Sequence, residues 1–278
     1  MPDPGAARAS DTSAFNAQAA GYDARVGFPP GVGEAVAEAI VRLGEVDADD
    51  LVLELGAGTG EIGAHLLDLA PGYLGIDNSP AMLDIFRAKA SGVAPRLLVA
   101  DADADWPLPT SSAQVIFASR VIHLLPPDHV VRETFRVARP GGYLMLGRAQ
   151  REPGSIKDRL QRKRQDLLRE RGIEPRQGDQ GSRAVVERCV QAGAESLGRR
   201  TVAEWQGETS VAAILTDWES LSRMGSVEVE PATRSAILTE LHNWANRETG
   251  DVDRRESFRE QYVVDMIHMP QSMPKAWR

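Results

Sequence analysis

The stretch Leu51-Val52-Leu53-Glu54-Leu55-Gly56-Ala57-Gly58-Thr59-Gly60 decides how this chain is to be read. Five residues dominated by Leu and Val make a short buried strand, and the first glycine ends it. Glycines in GxGxG spacing let the backbone turn sharply and let a ligand approach main-chain atoms that a Cβ would screen. A helix beginning here, through Ile62, Leu66 and Leu69, would point its free N–H groups and positive end at that ligand. A dinucleotide fingerprint needs glycine at 61, where the chain has Glu61, and a phosphate-cradling loop needs a lysine after the last glycine. An acid beside the loop disfavours a pyrophosphate. A nucleoside with an amino-acid or cationic appendage suits it better.

Outward from this loop, strand and helix alternate. A helix over 31–44 carries Val36, Ile40 and Leu43 on one face, and Tyr73 to Ile76 is a second strand ending at Asp77. Ser79-Pro80 reads as a helix start, the serine capping and the proline preset for the first turn. Strands follow at 96–99, 113–117 and 143–146, with a helix from Asp128 to Ala138 and a turn at Arg139-Pro140-Gly141-Gly142. This order predicts an α/β fold with a mostly parallel sheet, helices on both faces, and a ligand site beyond the carboxyl ends of the strands. Three acidic features stand there in order. Glu54 leads into the glycine loop, Asp77 can accept from both ribose hydroxyls, and Asp101-Ala102-Asp103 can read an exocyclic amine and a ring nitrogen. Separately they read as a tight turn, a helix cap and a solvated loop; together they mark a site.

After residue 150 the pattern changes. Helices are predicted over 156–171, 185–197, 211–224 and 232–249, with a loop at Gly178-Asp179-Gln180-Gly181. Strands are predicted over 199–205 and 260–268, the latter with Tyr262, Val264 and Met266 on one face, and a loose tail from Met269.

The chain has 278 residues and a formal charge of −8. Residues 1–150 hold 11 basic and 19 acidic side chains, whereas 151–278 hold 21 of each. An acidic half beside a neutral one argues against a nucleic-acid binder, which needs a basic face. The stretch Arg151 to Arg176, nine basic and five acidic, is the one place to suspect a phosphate or nucleic-acid contact, with a solvated lid helix as its ordinary account. Cys189 is the sole cysteine, so no internal disulfide or cysteine-based metal centre can form. No His/Asp/Glu set has metal-ligand spacing, and no metal is expected. No apolar run approaches membrane-spanning length, and Met1 to Ser13 lacks the basic start and apolar core of a signal peptide. A cytoplasmic address with no membrane partner is the expectation.

The ordered set 51–60, Gly75-Ile76-Asp77-Asn78-Ser79-Pro80-Ala81-Met82-Leu83, the Asp101-Ala102 turn and Arg139-Pro140-Gly141-Gly142 resembles the class I S-adenosylmethionine-dependent methyltransferases. The nearest flavour is the small-molecule branch that includes quinone-biosynthesis methyltransferases, and the likeness runs from about Phe15 to Leu146. It implies a Rossmann-like doubly wound seven-stranded sheet whose last strand is antiparallel. Residues 1–150 would be the cofactor-binding core with an N-terminal lid; 151–278 would add helical cap insertions (151–197 and 208–249) and the last two strands. By resemblance, Gly56, Ala57, Gly58 and Gly60 serve the methionine part of S-adenosylmethionine, Glu54 belongs to the same cofactor-binding set, and Asp77 takes the ribose. Asn78 and Met82 flank the adenine, Asp101 with Ala102 reads its edge, and Ser119 closes the strand-four side. Tyr22 and Arg25, in Ala20-Gly21-Tyr22-Asp23-Ala24-Arg25, meet the carboxylate. One departure is that Asp103-Ala104-Asp105-Trp106-Pro107 shifts the usual Leu-Pro spacing, leaving Asp101 and Asp103 both open as the adenine reader. The implied reaction is in-line methyl transfer to a small-molecule acceptor, with His123 as candidate base. Arg120 and Arg148 are candidate anchors for an acidic substrate, and Trp205, His242 and Trp244 candidate pocket walls, although ion pairing and core packing account for these five as well. A non-catalytic S-adenosylmethionine-binding protein on the same fold is the alternative.

Overall fold

A computed structural model describes residues 16, 19–90, 94–175, 178–219, 223–224 and 227–272. The expectations for Met1–Ser13, and for the tail past residue 272, lie outside the described residues. After a short helix α1 (Tyr22–Val26) come α2 (Val32–Leu43), β1 (Leu51–Leu55), α3 (Gly63–Leu69), β2 (Gly72–Asp77), α4 (Pro80–Lys89), β3 (Leu97–Val99) and β4 (Ala113–Ser119). Then follow α5 (Pro127–Val137), β5 (Ala138–Arg151), α6 (Ile156–Arg169), α7 (Gly178–Gln191), β6 (Glu195–Thr209), α8 (Val211–Glu219), β7 (Arg223–Met224), β8 (Val227–Glu228), α9 (Pro231–Thr249) and β9 (Glu256–His268).

The main sheet has seven strands in the order β3-β2-β1-β4-β5-β9-β6. Strands β1 to β5 pair in parallel, and β9 enters between β5 and β6 antiparallel to both. The expected doubly wound sheet with its last strand reversed is the observed one. Alternation sorts the side chains. Val52, Tyr73, Val115, Phe117, Tyr262, Val264 and Met266 face α2, α3 and α4, while Leu53, Leu55, Ile76, Ile116, Leu144 and Ile267 face α5 and α7. Ser79 caps α4 as its sequence predicts, its Oγ accepting from the Met82 N–H at 3.2 Å with Pro80 in the first turn.

Several boundaries move. The Arg139–Gly142 turn is absorbed into β5, because Ala138 already pairs with Ala113 across an irregular register. Gly178–Gly181 opens α7 instead of forming a loop, and α7 ends before β6 starts at Glu195. Met224 lies in a two-residue strand, not a helix. Met269 is fully buried and its N–H donates to the Gly142 carbonyl at 2.8 Å, so the chain is still tied there, where a loose tail is expected.

The inserted helices do not all form one cap. α7 packs on α5, burying Val185 and Cys189 beneath the sheet, so it is a layer helix. α6, α8 and α9 instead surround a third apolar cluster of their own, with Leu160, Leu167, Ile214, Leu215, Ile237 and Leu241 at its centre. They leave and rejoin the sheet after β5 and β6 and before β9, on the same rim as the glycine loop.

The loop itself shows why its residues are glycines. Gly56, Gly58 and Gly60 have φ of 66°, 55° and 78°, in the left-handed region. At Gly60 an added Cβ would also lie 2.3 Å from the Phe86 ring of α4. Gly60→Ala is therefore expected to lower stability by about 1–3 kcal/mol through overpacking and backbone strain. Chemical denaturation reads it; an unchanged midpoint would contradict the packing role.

Candidate functional site

A cavity of about 780 Å³ opens at the carboxyl ends of β1, β2 and β4. Of the residues singled out in the sequence, Tyr22, Glu54, Gly56, Ala57, Gly58, Asp77, Asn78, Met82, Asp101, Ala102, Ser119 and His123 line it. Two do not. Gly60 faces Phe86, and Arg25 lies against Gly21 outside the lining.

Asp77 sits where two loops meet. One carboxylate oxygen accepts from the Gly58 N–H at 2.9 Å and the other from the Ser79 N–H at 2.8 Å. Burial raises its pKa and these two donors oppose the rise, with the net still upward. Each oxygen keeps a further lone pair for a ligand. Beneath the glycine loop, the buried Glu54 accepts from the Tyr73 hydroxyl at 2.5 Å. Desolvation pushes its pKa up from 4.5 to about 8, against the lowering effect of that bond.

The 101–108 loop is pinned by side chains of α5. Ala102 presents its carbonyl to the Trp106 indole N–H and to His129 Nε2, both at 3.0 Å. His129 Nδ1 lies 2.7 Å from an Arg132 nitrogen, so the tautomer with its proton on Nε2 satisfies both contacts. The buried Glu133 accepts from the Trp106 N–H at 2.7 Å, and Arg136 donates to the carbonyls of Trp106 and Leu108. Asp101 is half-buried and accepts from the Asp103 N–H at 2.9 Å; Asp103 is exposed, though both reach the cavity.

The N-terminal segment is clasped over the loop. Asp23 accepts from the Thr59 hydroxyl at 2.5 Å and pairs with Lys89. Glu61 accepts from the Phe28 N–H and pairs with Arg120. Arg120 has φ of 58°, unusual for a side-chain-bearing residue. Its guanidinium lies 4.7 Å from the centre of the Phe28 ring and 5.8 Å from that of Tyr22. Burial opposes its charge, but Tyr22, Glu61 and Tyr262 outweigh burial and hold its pKa above the ordinary value. Tyr262, from β9, donates to Ser119 Oγ at 2.6 Å and packs edge-on to Phe28.

Glu61, Thr59 and Val121 belong to the lining and were not among the predicted site residues, and Glu228 of β8 reaches it from the inserted unit. Arg148 turns away, paired with Asp179 and Asp265. Trp205 donates to Glu260, His242 meets Glu219 and Trp244 packs in the third cluster; none of the three lines the cavity. Among the described residues no cluster of His, Cys, Asp and Glu is placed to hold a metal ion, and no helix is long and apolar enough to cross a membrane.

Because Glu54 binds its proton more tightly folded than unfolded, stability falls as pH rises from about 4.5 to about 8. Glu54→Gln, which preserves the neutral shape and an acceptor for Tyr73, is expected to flatten that part of the melting-temperature profile. Parallel profiles for the two proteins would refute the assignment.

Residues 52–142 match the family described as methyltransferase domain. An uncharacterised methyltransferase of Mycobacterium tuberculosis is 34% identical over 95 residues, 34% of this chain and 38% of that protein. The malonyl-[acyl-carrier protein] O-methyltransferase of Serratia marcescens is 29% identical over 137 residues, 48% of this chain and 50% of that protein. The 27-O-demethylrifamycin SV methyltransferase of Amycolatopsis mediterranei is 33% identical over 105 residues, 36% of this chain and 39% of that protein. The matched region thus spans half or less of these relatives' length. Among solved structures, the YcgJ protein of Bacillus subtilis superposes with a TM-score of 0.54 at 17% identity, covering 85% of this chain and 98% of that one. The [4+2]-cyclase SpnF gives 0.52 at 18%, covering 86% and 82%. Residues 52–142 thus match a methyltransferase domain, and they lie in a seven-stranded sheet whose fold is that of the solved structures named above.

Proposed function

We propose that this protein is an S-adenosylmethionine-dependent methyltransferase acting on a small-molecule acceptor. The observation that carries the reading is the gathering of Gly56, Gly58, Asp77, Asp101 and Ser119, from the ends of four separate strands, on one cavity. Its volume lies within the roughly 300–1,000 Å³ usual for small-ligand sites. Its acidic lining is Glu61, Asp77, Asp101, Asp103 and Glu228, with Glu54 held mainly protonated, against Arg120 and His123. That balance fits a nucleoside bearing a sulfonium and an amine, and opposes a pyrophosphate.

In this reading the turn of Gly56, Ala57 and Gly58 cradles the methionine part, and nothing but the Gly56 carbonyl, at 3.8 Å, stands where a Gly58 side chain would be. Asp77 holds the ribose with the lone pairs its backbone donors leave free. Asn78 and Met82 flank the adenine, and Asp101, the more buried of the two acids, reads its edge beside Ala102. Tyr22 and Arg120, both in the lining, meet the carboxylate. Gly60 and Arg25 take no direct part. The cofactor supplies a methyl group activated on sulfur; the protein supplies alignment and exclusion of water. His123, at the exit of β4, accepts the proton of a hydroxyl or acidic-carbon acceptor, while an amine acceptor would only have to arrive unprotonated.

Incubation with S-adenosylmethionine and a metabolite library is expected to release S-adenosylhomocysteine with at least one acceptor. Calorimetric binding without product across broad libraries would favour a non-catalytic cofactor-binding protein instead. Asp77→Ala is expected to weaken S-adenosylmethionine binding about tenfold or more, since hydrogen bonds to a charged group contribute roughly 1.5–3 kcal/mol. Unchanged affinity in calorimetry would overturn the ribose assignment.

A further inference from the structure

Tyr262 reaches across a strand to find its partner. It stands on β9, which pairs with β5, yet its hydroxyl donates at 2.6 Å to Ser119 Oγ of β4, one strand further on. Gly147 of β5 makes the crossing possible. It pairs with Ser119 on one side and Val264 on the other, and a Cβ added there would strike the Tyr262 hydroxyl. A glycine inside a buried strand weakens it and marks a close approach of another group. Phe28 meets the Tyr262 ring edge-on at 5.3 Å and 87°, so packing fixes the ring as well.

The direction of that bond decides what Ser119 can do. Tyr262 is fully buried, and among the described residues Ser119 Oγ is the acceptor that its proton finds. Burial, the largest effect, raises the phenol pKa further, so the group stays a donor. A serine hydroxyl that accepts one bond still has its own proton to give. No described residue accepts that proton, and Ser119 lines the cavity, next in the chain to Arg120. An O–H donor beside a guanidinium suits an oxyanion, not a sulfonium or an ammonium. Each bond in such a chain polarises the next, so the phenol also makes the serine a stronger donor.

We propose that Tyr262 is a positioning residue: across Gly147 it fixes the Ser119 hydroxyl so that the serine donates to the carboxylate of the cofactor. The identity of that carboxylate rests on the S-adenosylmethionine reading proposed above. Tyr262 itself is absent from the cavity lining and acts only through Ser119.

The test is calorimetric binding of two nucleosides, S-adenosylhomocysteine, which carries the amino-acid carboxylate, and 5′-methylthioadenosine, which lacks it. Ser119→Ala is expected to weaken S-adenosylhomocysteine about tenfold, the scale of a hydrogen bond to a charged group, and to leave 5′-methylthioadenosine within about twofold. Tyr262→Phe keeps the buried ring and should weaken S-adenosylhomocysteine alone, by roughly three- to fivefold. Gly147→Ala should do the same by displacing the phenol. The double variant of Ser119→Ala with Tyr262→Phe should bind no more weakly than Ser119→Ala, because the tyrosine has no other route to the ligand. Wild-type affinity in Tyr262→Phe, an equal loss for both nucleosides, or additive losses in the double variant would overturn the proposal. Should Tyr262→Phe fail to fold, a Gly147→Ala loss confined to S-adenosylhomocysteine supports the proposal and any other result overturns it. A wild-type protein that binds neither nucleoside refutes the S-adenosylmethionine reading, and this assignment with it. One that binds both equally tightly refutes the carboxylate assignment alone.

Discussion

The carboxylate of Asp77 is the tie on which the cavity end of the molecule depends. It ends β2, yet one oxygen accepts the backbone of Gly58 after β1 and the other the backbone of Ser79 before α4. Two loops from neighbouring strands are thus set against each other by a single side chain. The glycine turn depends on it in return, because left-handed backbone at three alternate positions needs fixed partners to stay open. Ala57 supplies another: its N–H donates to the Ile76 carbonyl at 3.0 Å, one residue before Asp77. Position, not chemistry, is what this fold contributes, and the position originates at that junction.

Around it the polar contacts form a second ring. Asp23 and Glu61 bind the N-terminal segment to the glycine loop, Arg120 leaves β4 in a strained conformation beneath two aromatic rings, and Tyr262 reaches from the far strand to Ser119. These bonds join segments remote in sequence, so the cavity is walled by tertiary structure on the side away from the Asp77 and Asp101 loops. Polar side chains from α5 do the same for the 101–108 loop, where Trp106 fills the space opened by its longer spacing.

That division explains what the chain reveals before folding. β1, the glycine turn, Asp77 and the Ser79-Pro80 cap are local, and each can be read from consecutive residues. The reversed last strand followed from the family likeness of those same residues, while Asp101 and Asp103 were legible as the acidic turn after the third strand. The pinning of Ala102 by His129 was hidden, because a single histidine on an amphipathic helix has no pattern and its partner lies 27 positions away. Glu61 was informative only for what it ruled out, and its bonds to Phe28 and Arg120 span 33 and 59 positions. The glycines at 178 and 181 favour a loop locally, but packing of α7 on α5 overrides them. β6 is mostly exposed along its length, so alternation of apolar residues finds only its middle.

The excess length of β6 and β9 has a structural consequence of its own. They stay paired as far as Thr209 and Glu256, and just beyond them the Ala212 N–H still bonds to the Val252 carbonyl. Everything between, from α8 to α9, therefore hangs from a two-stranded neck whose ends are already side by side. A segment closed in this way adds little loop entropy to the sheet and imposes no register on it. It is built as a graft: α8 and α9, with the face of α6 that packs on them, could be reshaped with the glycine turn and the Asp77 junction left in place.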